Sequence, residues 1–378
     1  MFISMQKKNK IAIIGASYLQ LPVVKKAQSM GLEVHCFAWA EGAVCKDIAD
    51  YFYPIDVKDK EKILEVCQRV GINGITTIAA DLPVATINYV ANKMGLISNP
   101  YEYSLITTNK YLMRNCFKEN GIPSPSYCLV SNISNISTSD LQFPLIVKPT
   151  DRSGSKGVEK VDDPNQLKDA INRAQRVSFK QEAIVEEYVT GREISVESIS
   201  YCGKHYILQV TDKVTTGSPF FVELEHHQPS TLSKDLISRV KSIVLKALDA
   251  LHIRFGASHS ELKITETGEI KVIEIGARMG GDFIGSDLVF LSTGYDFLKG
   301  VIDVALGSFE EPKISENKYS GVYFLSEETK YLKAIIEHWK DYPNIIEARI
   351  TNNILQRVEC SGDRSGYIIY RGDKKITF

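Results

Sequence analysis

The chain has 378 residues, is 44% hydrophobic and is almost neutral, with 45 lysine and arginine side chains against 46 aspartate and glutamate. That length suits two or three packed units, because single cores seldom grow much beyond roughly 250 residues. The balanced charge gives no footing for a nucleic-acid or membrane partner, and no apolar run approaches the roughly 20 residues of a membrane span.

The basic opening, residues 1–10, is followed by an apolar run that stops at Gly15, too short for a secretory signal. Residues 10–14 read as a strand, 21–30 as a helix closed by Gly31, and 33–38 as the next strand; a helix over 59–70 leads to a strand over 74–79. Strands alternating with helices predict a parallel sheet covered on both faces, so residues 1–107 are expected to form a Rossmann-like α/β unit. Its first turn, Gly15-Ala16-Ser17, lacks the G-x-G-x-x-G fingerprint and suits either a tight turn or a ligand contact. Asp81 follows the strand ITTIAA, where polar residues often face ligands; a helix N-cap is the other reading. Residues 107–120 predict a helix with a threonine cap and Gly121 as its stop, with Pro123 and Pro125 marking a boundary. Residues 131–140, rich in Ser and Asn, read as a loop. From Phe143 the pattern turns to strands and hairpins, then a helix over 234–251, strands over 257–275 and a helix near 295–306. The last seventy residues mix a helix over 327–339 with short strands, as in a small α+β closing unit. Seven scattered cysteines without a CxxC pair suit reduced thiols in a cytoplasmic protein better than a disulfide scaffold or a zinc site.

Four segments carry chemistry. In the first, the strand Leu145-Ile146-Val147-Lys148-Pro149 runs into Ser153, Gly154, Ser155, Lys156 and Gly157. Glycines let backbone N–H groups approach an anion, and a lysine supplies a point charge on phosphate; a solvated hairpin loop is the alternative. In the second, Glu186-Glu187-Tyr188-Val189 and then Gly191-Arg192-Glu193 place acidic residues at a strand end, suited to ribose hydroxyls or simply to water. In the third, residues 261–265 and 270–274 flank Glu266-Thr267-Gly268-Glu269 as a hairpin. A two-residue turn at Thr267-Gly268 would set Glu261 opposite Glu274, whereas a three-residue loop with a bulge would slip that register. Facing carboxylates destabilise a sheet unless a cation lies between them, and oxygen ligands suit Mg²⁺; a solvated face is the alternative. In the fourth, Arg278 lies in Gly276-Ala277-Arg278-Met279-Gly280-Gly281, where a guanidinium suits an oxyanion or transferring phosphoryl group, or an ordinary salt bridge.

In this order, the segments resemble the ATP-grasp superfamily across roughly residues 10–308. The resemblance implies a multidomain α/β and α+β fold: the Rossmann-like unit, an ATP-grasp domain of two subdomains over 108–308 with a mobile lid near 124–188, and an α+β unit over 309–378. It implies ATP with one or two Mg²⁺ ions, Mn²⁺ being able to substitute. Lys110 and Lys148 match the phosphate-binding lysines, with Lys148 and Arg278 at the reacting centre. Residues Ser153 to Gly157 match the lid loop; Glu186, Glu187 and Val189 match the adenine hinge; Glu193 matches the ribose carboxylate; Glu261 and Glu274 match the metal ligands. Many relatives carry Asn two residues past the second glutamate, where this chain has Gly276; either Glu274 bridges two ions or the second site is weaker. The glycine-rich turn with Gly280 and Gly281, and the stretch 221–229, look most like the amino-acid and dipeptide ligase branch. That likeness makes Asp81, Lys213, Glu223, His226 and His227 substrate candidates, with the histidines beside Glu223 and Glu225 suited to an ammonium group.

The leading expectation is a carboxylate–amine ligase working through an acyl phosphate on small acid and amine substrates, with neither nucleic acid nor membrane as partner and a homodimer compatible. A purine-biosynthesis ligase or formyltransferase of the same fold is the alternative. A carboxylase or carbamoyl-phosphate-synthetase-like subunit, or a non-catalytic nucleotide-binding protein, stands further back.

Overall fold

The computed structural model of the chain describes residues 8–132 and 140–378; the opening residues 1–7 and most of the loop expected over 131–140 lie outside them. Three sheets occupy successive stretches of chain.

The first sheet contains β1 (Lys10–Ile14), β2 (Glu33–Phe37), β3 (Tyr51–Tyr53) and β4 (Gly74–Thr76), all parallel in the order β3-β2-β1-β4. Its central strand is apolar on both faces because both are covered. Ile11 and Ile13 pack on one side with α1 (Leu21–Ser29). Ala12 and Ile14 pack on the other with α2 (Lys60–Val70) and α3 (Val84–Met94). Neither β3 nor α3 belongs to the sequence-based expectation. The strand is three residues long, and α3 buries residues around much of its circumference, which blurs its period.

Residues Tyr101–Thr107 form 3₁₀ turns leading to α4 (Lys110–Glu119). The expected threonine cap gives way to Asn109, whose side chain accepts from Leu112 N at 3.0 Å. The second sheet contains β5 (Tyr127–Val130), β6 (Leu145–Pro149), β7 (Glu159–Val161) and β8 (Ala183–Glu187), antiparallel in the order β5-β8-β6-β7. Helix α5 (Pro164–Val177) lays Leu167, Ala170, Ile171 and Ala174 on it.

The third sheet has eight strands: β9 (Arg192–Tyr201), β10 (Lys204–Thr215), β11 (Glu223–Gln228), β12 (Gly256–Ile264), β13 (Ile270–Gly276), β14 (Tyr319–Leu325), β15 (Ile345–Ile350) and β16 (Gly366–Gly372). Their order is β13-β12-β9-β10-β11-β14-β16-β15, so the strands of the last seventy residues continue the sheet that carries the glutamates. Helices α4 and α6 (Lys234–Ala250) share a core with β9, β10, β12 and β13. A π-helical turn (Ile284–Leu288) leads to α7 (Val289–Thr293); α8 (Phe297–Leu306) then joins this sheet to the first one. The helix expected over 327–339 is shorter. Thr329 Oγ1 donates to Phe324 O and accepts from Ser326 N, holding a turn, and α9 spans only Leu332–Glu337.

The first sheet is tied to the third next to the glycine-rich turn. Past β4 the chain forms a parallel bridge from Ile78 to Met279, with Ala79 N donating to Met279 O at 3.0 Å. That bridge brings Asp81 and Arg278 together.

Candidate active site

Glu261 on β12 and Glu274 on β13 are cross-strand partners, but not through a two-residue turn. Gly268 N donates to Thr265 O and Thr265 N to Glu269 O, which closes a three-residue loop, Glu266-Thr267-Gly268, with Gly268 at φ +80°. That loop pairs Ile264 with Ile270 and Leu262 with Val272. Ile273 then stands as an extra residue, a β-bulge, and restores Glu261 opposite Glu274. Two carboxylates side by side fit a hard cation that takes its other oxygens from phosphate and water. Among the described residues, no group of three or more His, Cys, Asp or Glu side chains is arranged to hold a metal by itself.

Lysines and an arginine surround these carboxylates. Lys110, the first residue of α4, donates to Glu274 Oε1 at 2.8 Å and to Arg152 O, beside the glycine loop, at 2.7 Å. Lys148, at the end of β6, is buried with its Nζ 2.7 Å from Glu186 Oε2. Burial lowers the Lys148 ammonium below its ordinary value, and Glu186 only partly compensates. Burial would raise the Glu186 carboxyl, but Arg114 and Lys148 together hold it below its ordinary value. The Glu186 side chain is thus a counter-ion inside the second sheet. Glu187 Oε1 accepts from Gln142 N at 3.1 Å, and the Glu187 and Tyr188 amides donate to Ser126 O at 3.0 Å and Pro144 O at 2.9 Å, so the base-reading role the resemblance implies for this stretch falls on Val189.

Lys213 lies among three carboxylates: Glu261 at 2.6 Å, Glu193 at 3.0 Å and Glu223 at 3.5 Å. Burial alone would lower its ammonium; the three carboxylates raise it well above its ordinary value. Burial would raise Glu261, yet Lys213 and then His259 hold it well below the usual carboxylate range. His259, two residues before Glu261 on β12, meets buried Glu197 through Nδ1 at 2.5 Å and approaches Glu261 through Nε2 at 3.4 Å. Burial disfavours its imidazolium, but Glu197 raises its pKa to about 9. Glu197 also accepts from Gly280 N at 3.2 Å, and a Cβ on Gly280 would lie 2.8 Å from His259 Nδ1.

Arg278 meets Asp81 at two points, Nε to Oδ1 at 2.9 Å and Nη2 to Oδ2 at 3.1 Å. The Asp81 side chain therefore does not cap α3. A Cβ on Gly276 would stand 2.6 Å from Asp81 Oδ1, so the Asp81 carboxylate fills the space a side chain at 276 would need. Gly281 packs its backbone against Ala79.

His226 and His227, adjacent on β11, face opposite ways. His226 is buried near Lys213, its cross-strand partner, and neither ring nitrogen has a hydrogen-bond partner among the described residues. Burial, and then Lys213, hold its imidazole well below 6.5. His227 is instead engaged by Glu225 at 2.7 Å and Tyr370 Oη at 3.0 Å, away from Lys213; this corrects its pairing with His226 at one ammonium site. Asp282 is held at two points by Arg364, which reaches in from the segment before β16.

The glycine loop is exposed, with Gly154, Ser155 and Gly157 at positive φ and Lys156 turned to solvent beside Ser153. A Cβ on Gly157 would lie 2.6 Å from Val177, so only glycine fits the return of the loop. Beside this loop, Arg152 stacks on Phe179, and Lys58 of the first unit lies over the same ring at 4.6 Å.

Sequence reasoning did not single out Arg114, Glu197, His259, Asp282 or Arg364. The H-x-E spacing of His259 and Glu261 on one strand face was the available signal for His259. Arg114 could have been marked as lying four residues after Lys110 on the same helix face.

Residues 141–287 match the family model of the ATP-grasp domain. The chain carries an ATP-grasp domain and has the multidomain ATP-grasp fold. It is 25% identical over 272 residues to an alanine–anticapsin ligase of Bacillus subtilis (strain 168), a match covering 62% of this chain and 57% of that protein. Its structure resembles an L-amino acid ligase from Bacillus licheniformis with TM-score 0.81 and 22% identity, covering 98% of this chain and 95% of the other. An N5-carboxyaminoimidazole synthetase from Staphylococcus aureus complexed with ADP matches with TM-score 0.78 and 17% identity, covering 99% and 95%. Among the described residues, no helix is long and apolar enough to cross a membrane.

Proposed function

We propose that this chain is an ATP-dependent carboxylate–amine ligase, a C–N bond-forming enzyme releasing ADP and phosphate, with small acid and amine substrates. The observation that supports this reading is Lys110, whose ammonium joins the backbone beside the glycine loop to Glu274, the residues this reading assigns to lid, phosphate and metal. Similarity to the alanine–anticapsin and L-amino acid ligases supports the same reading.

Lys110, Lys148 and the backbone around Ser153 to Gly157 hold the phosphates; Val189 and Glu193 receive the nucleoside. Glu261 and Glu274 hold Mg²⁺, for which Mn²⁺ can substitute; the ion neutralises phosphate charge when bound. A substrate carboxylate oxygen attacks the γ-phosphorus, the bond to the ADP oxygen breaks, and an acyl phosphate forms. The amine nitrogen then attacks the acyl carbon, phosphate leaves, and the nitrogen gives up its proton. Arg278 steadies the negative oxygens at the reacting centre, and Glu223 and His226 receive the amino group of a substrate. Positioning and charge neutralisation account for most of such catalysis. The test is ADP and phosphate release across a panel of acid and amine pairs: release requiring both supports the ligase, and tight Mg-ATP binding with no turnover on any pair counts against it. Similarity to the carboxyaminoimidazole synthetase favours a purine-type ligase as second reading, which aminoimidazole ribonucleotide as sole amine acceptor would support.

A further inference from the structure

Arg114 is fully buried on α4, one turn after Lys110, and touches two parts of the site at once. Its Nε lies 2.8 Å from Glu186 Oε1, on the carboxylate whose other oxygen is 2.7 Å from Lys148 Nζ. Its Nη2 donates at 2.6 Å to the carbonyl of Ile273, the bulge residue that sets Glu274 opposite Glu261. Lys110, on the same face of the helix, holds the Glu274 side chain itself.

We infer that Arg114 is a positioning residue that sets the phosphate-facing charge of Lys148 and the register of the metal-binding hairpin together. The inference rests on the proposed nucleotide site. A Lys148–Glu186 pair alone would be neutral, and the lysine would be spent on its partner. With Arg114 engaging the second oxygen, the buried triad carries one net positive charge, which an incoming triphosphate meets. The guanidinium meets the Glu186 carboxylate with Nε and the Ile273 carbonyl with Nη2, two nitrogens held apart in a rigid fork; a lysine has one nitrogen to place and so cannot replace it fully. Because the bulge carbonyl is fixed by the same group, phosphate binding and cation binding share one support.

The test compares Arg114→Met and Arg114→Lys with the wild type, reading Mg-ATP affinity by calorimetry, the Mg²⁺ half-saturation and KM for each substrate. Arg114→Met is expected to weaken Mg-ATP and raise the Mg²⁺ half-saturation by about tenfold or more, as losses behind metal ligands do, with KM for the amine unchanged. Arg114→Lys is expected to recover part of the Mg-ATP affinity but not the Mg²⁺ half-saturation. A merely structural arginine would lower thermal stability and active fraction without moving either constant, and that result overturns the inference. Should Arg114→Met not fold because Glu186 is left unbalanced, the double variant Arg114→Met with Glu186→Gln removes the stranded charge and keeps the net positive charge on Lys148, so it is read by the Mg²⁺ half-saturation alone: a rise is expected from loss of the bond to Ile273 O, and an unchanged value overturns the inference. Wild-type protein that binds Mg-ATP but ligates nothing would remove the ligase reading and leave this one intact; unchanged constants in the variants beside an active wild type would do the reverse.

Discussion

The Asp81 carboxylate and the Arg278 guanidinium, joined at 2.9 and 3.1 Å, come from different sheets and close over Gly276. The space a side chain at position 276 would need is thus filled by the Asp81 carboxylate, which reaches in from the first unit. Asp81→Asn keeps the shape and loses the charge that orients Arg278. Turnover is expected to fall about a hundredfold, the usual consequence of a misplaced catalytic group, with Mg-ATP affinity unchanged. Gly276→Ala, which pushes a methyl group into Asp81, is expected to give the same signature. Steady-state kinetics beside nucleotide calorimetry checks both; native turnover in Asp81→Asn would remove Arg278 from the reacting centre.

Lys148→Ala removes the buried ammonium proposed to meet phosphate and leaves Glu186 with Arg114 alone. Turnover is expected to drop about a hundredfold or more, with weaker ATP binding, on the scale seen when one charge-stabilising donor is lost. ATP titration of the variant decides it, and unchanged affinity and rate would refute the assignment.

Glu274→Gln keeps the size of the side chain while removing the charge proposed to meet a divalent cation. Activity is expected to fall far more than thermal stability, with partial recovery in Mn²⁺, which binds such ligands somewhat more tightly. A Mg²⁺ titration showing the wild-type half-saturation would make Glu274 an ordinary strand residue.

The glycine loop is expected to exchange its amide hydrogens rapidly over residues 152–157 without nucleotide and slowly with Mg-ATP or a non-hydrolysable analogue. Closure would also shield an acyl phosphate from water. Gly154 sits at φ +67° with open space around it, so Gly154→Val strains the backbone without a clash and is expected to slow turnover with little cost to folding. Exchange that ignores nucleotide would rule out a lid at this loop.

His226 titrates far below its ordinary 6.5 because burial, and then Lys213, oppose its charge. Its folded pKa is depressed, so the unfolded chain takes up the proton first, and stability is lost as pH falls below about 6.5. The thermal midpoint of the protein without substrates is expected to decline between pH 6.5 and 5, and His226→Phe to flatten that decline. An identical pH slope in the variant would show that the buried ring is not its source.

The first unit was readable because a covered parallel sheet writes itself as short apolar runs separated by amphipathic helices. The glutamate pair was readable for a different reason: the three-residue loop shifts the register one way and the bulge at Ile273 shifts it back. A pattern of alternating residues records neither step, only their sum. Arg114 was hidden because a basic residue in a helix near a charged surface reads as solvated until the partner strand is known. Arg364 was hidden because nothing in the last seventy residues announces that they reach Asp282. His226 and His227 are neighbours in sequence and opposites in space, which strand alternation alone would have foretold.

The continuation of the central sheet into β14 and β16 matters for how this chain meets others. Backbone pairing from Glu225 to Gln228 is met by Ser320 to Tyr323, so β11 has no free margin. A shortened chain ending after α8 would bare that margin, and an open run of strand N–H and C=O groups is a template for neighbouring molecules. The terminal strands therefore cover β11 and pass the margin of the sheet to β15, a role separate from any contact with substrate.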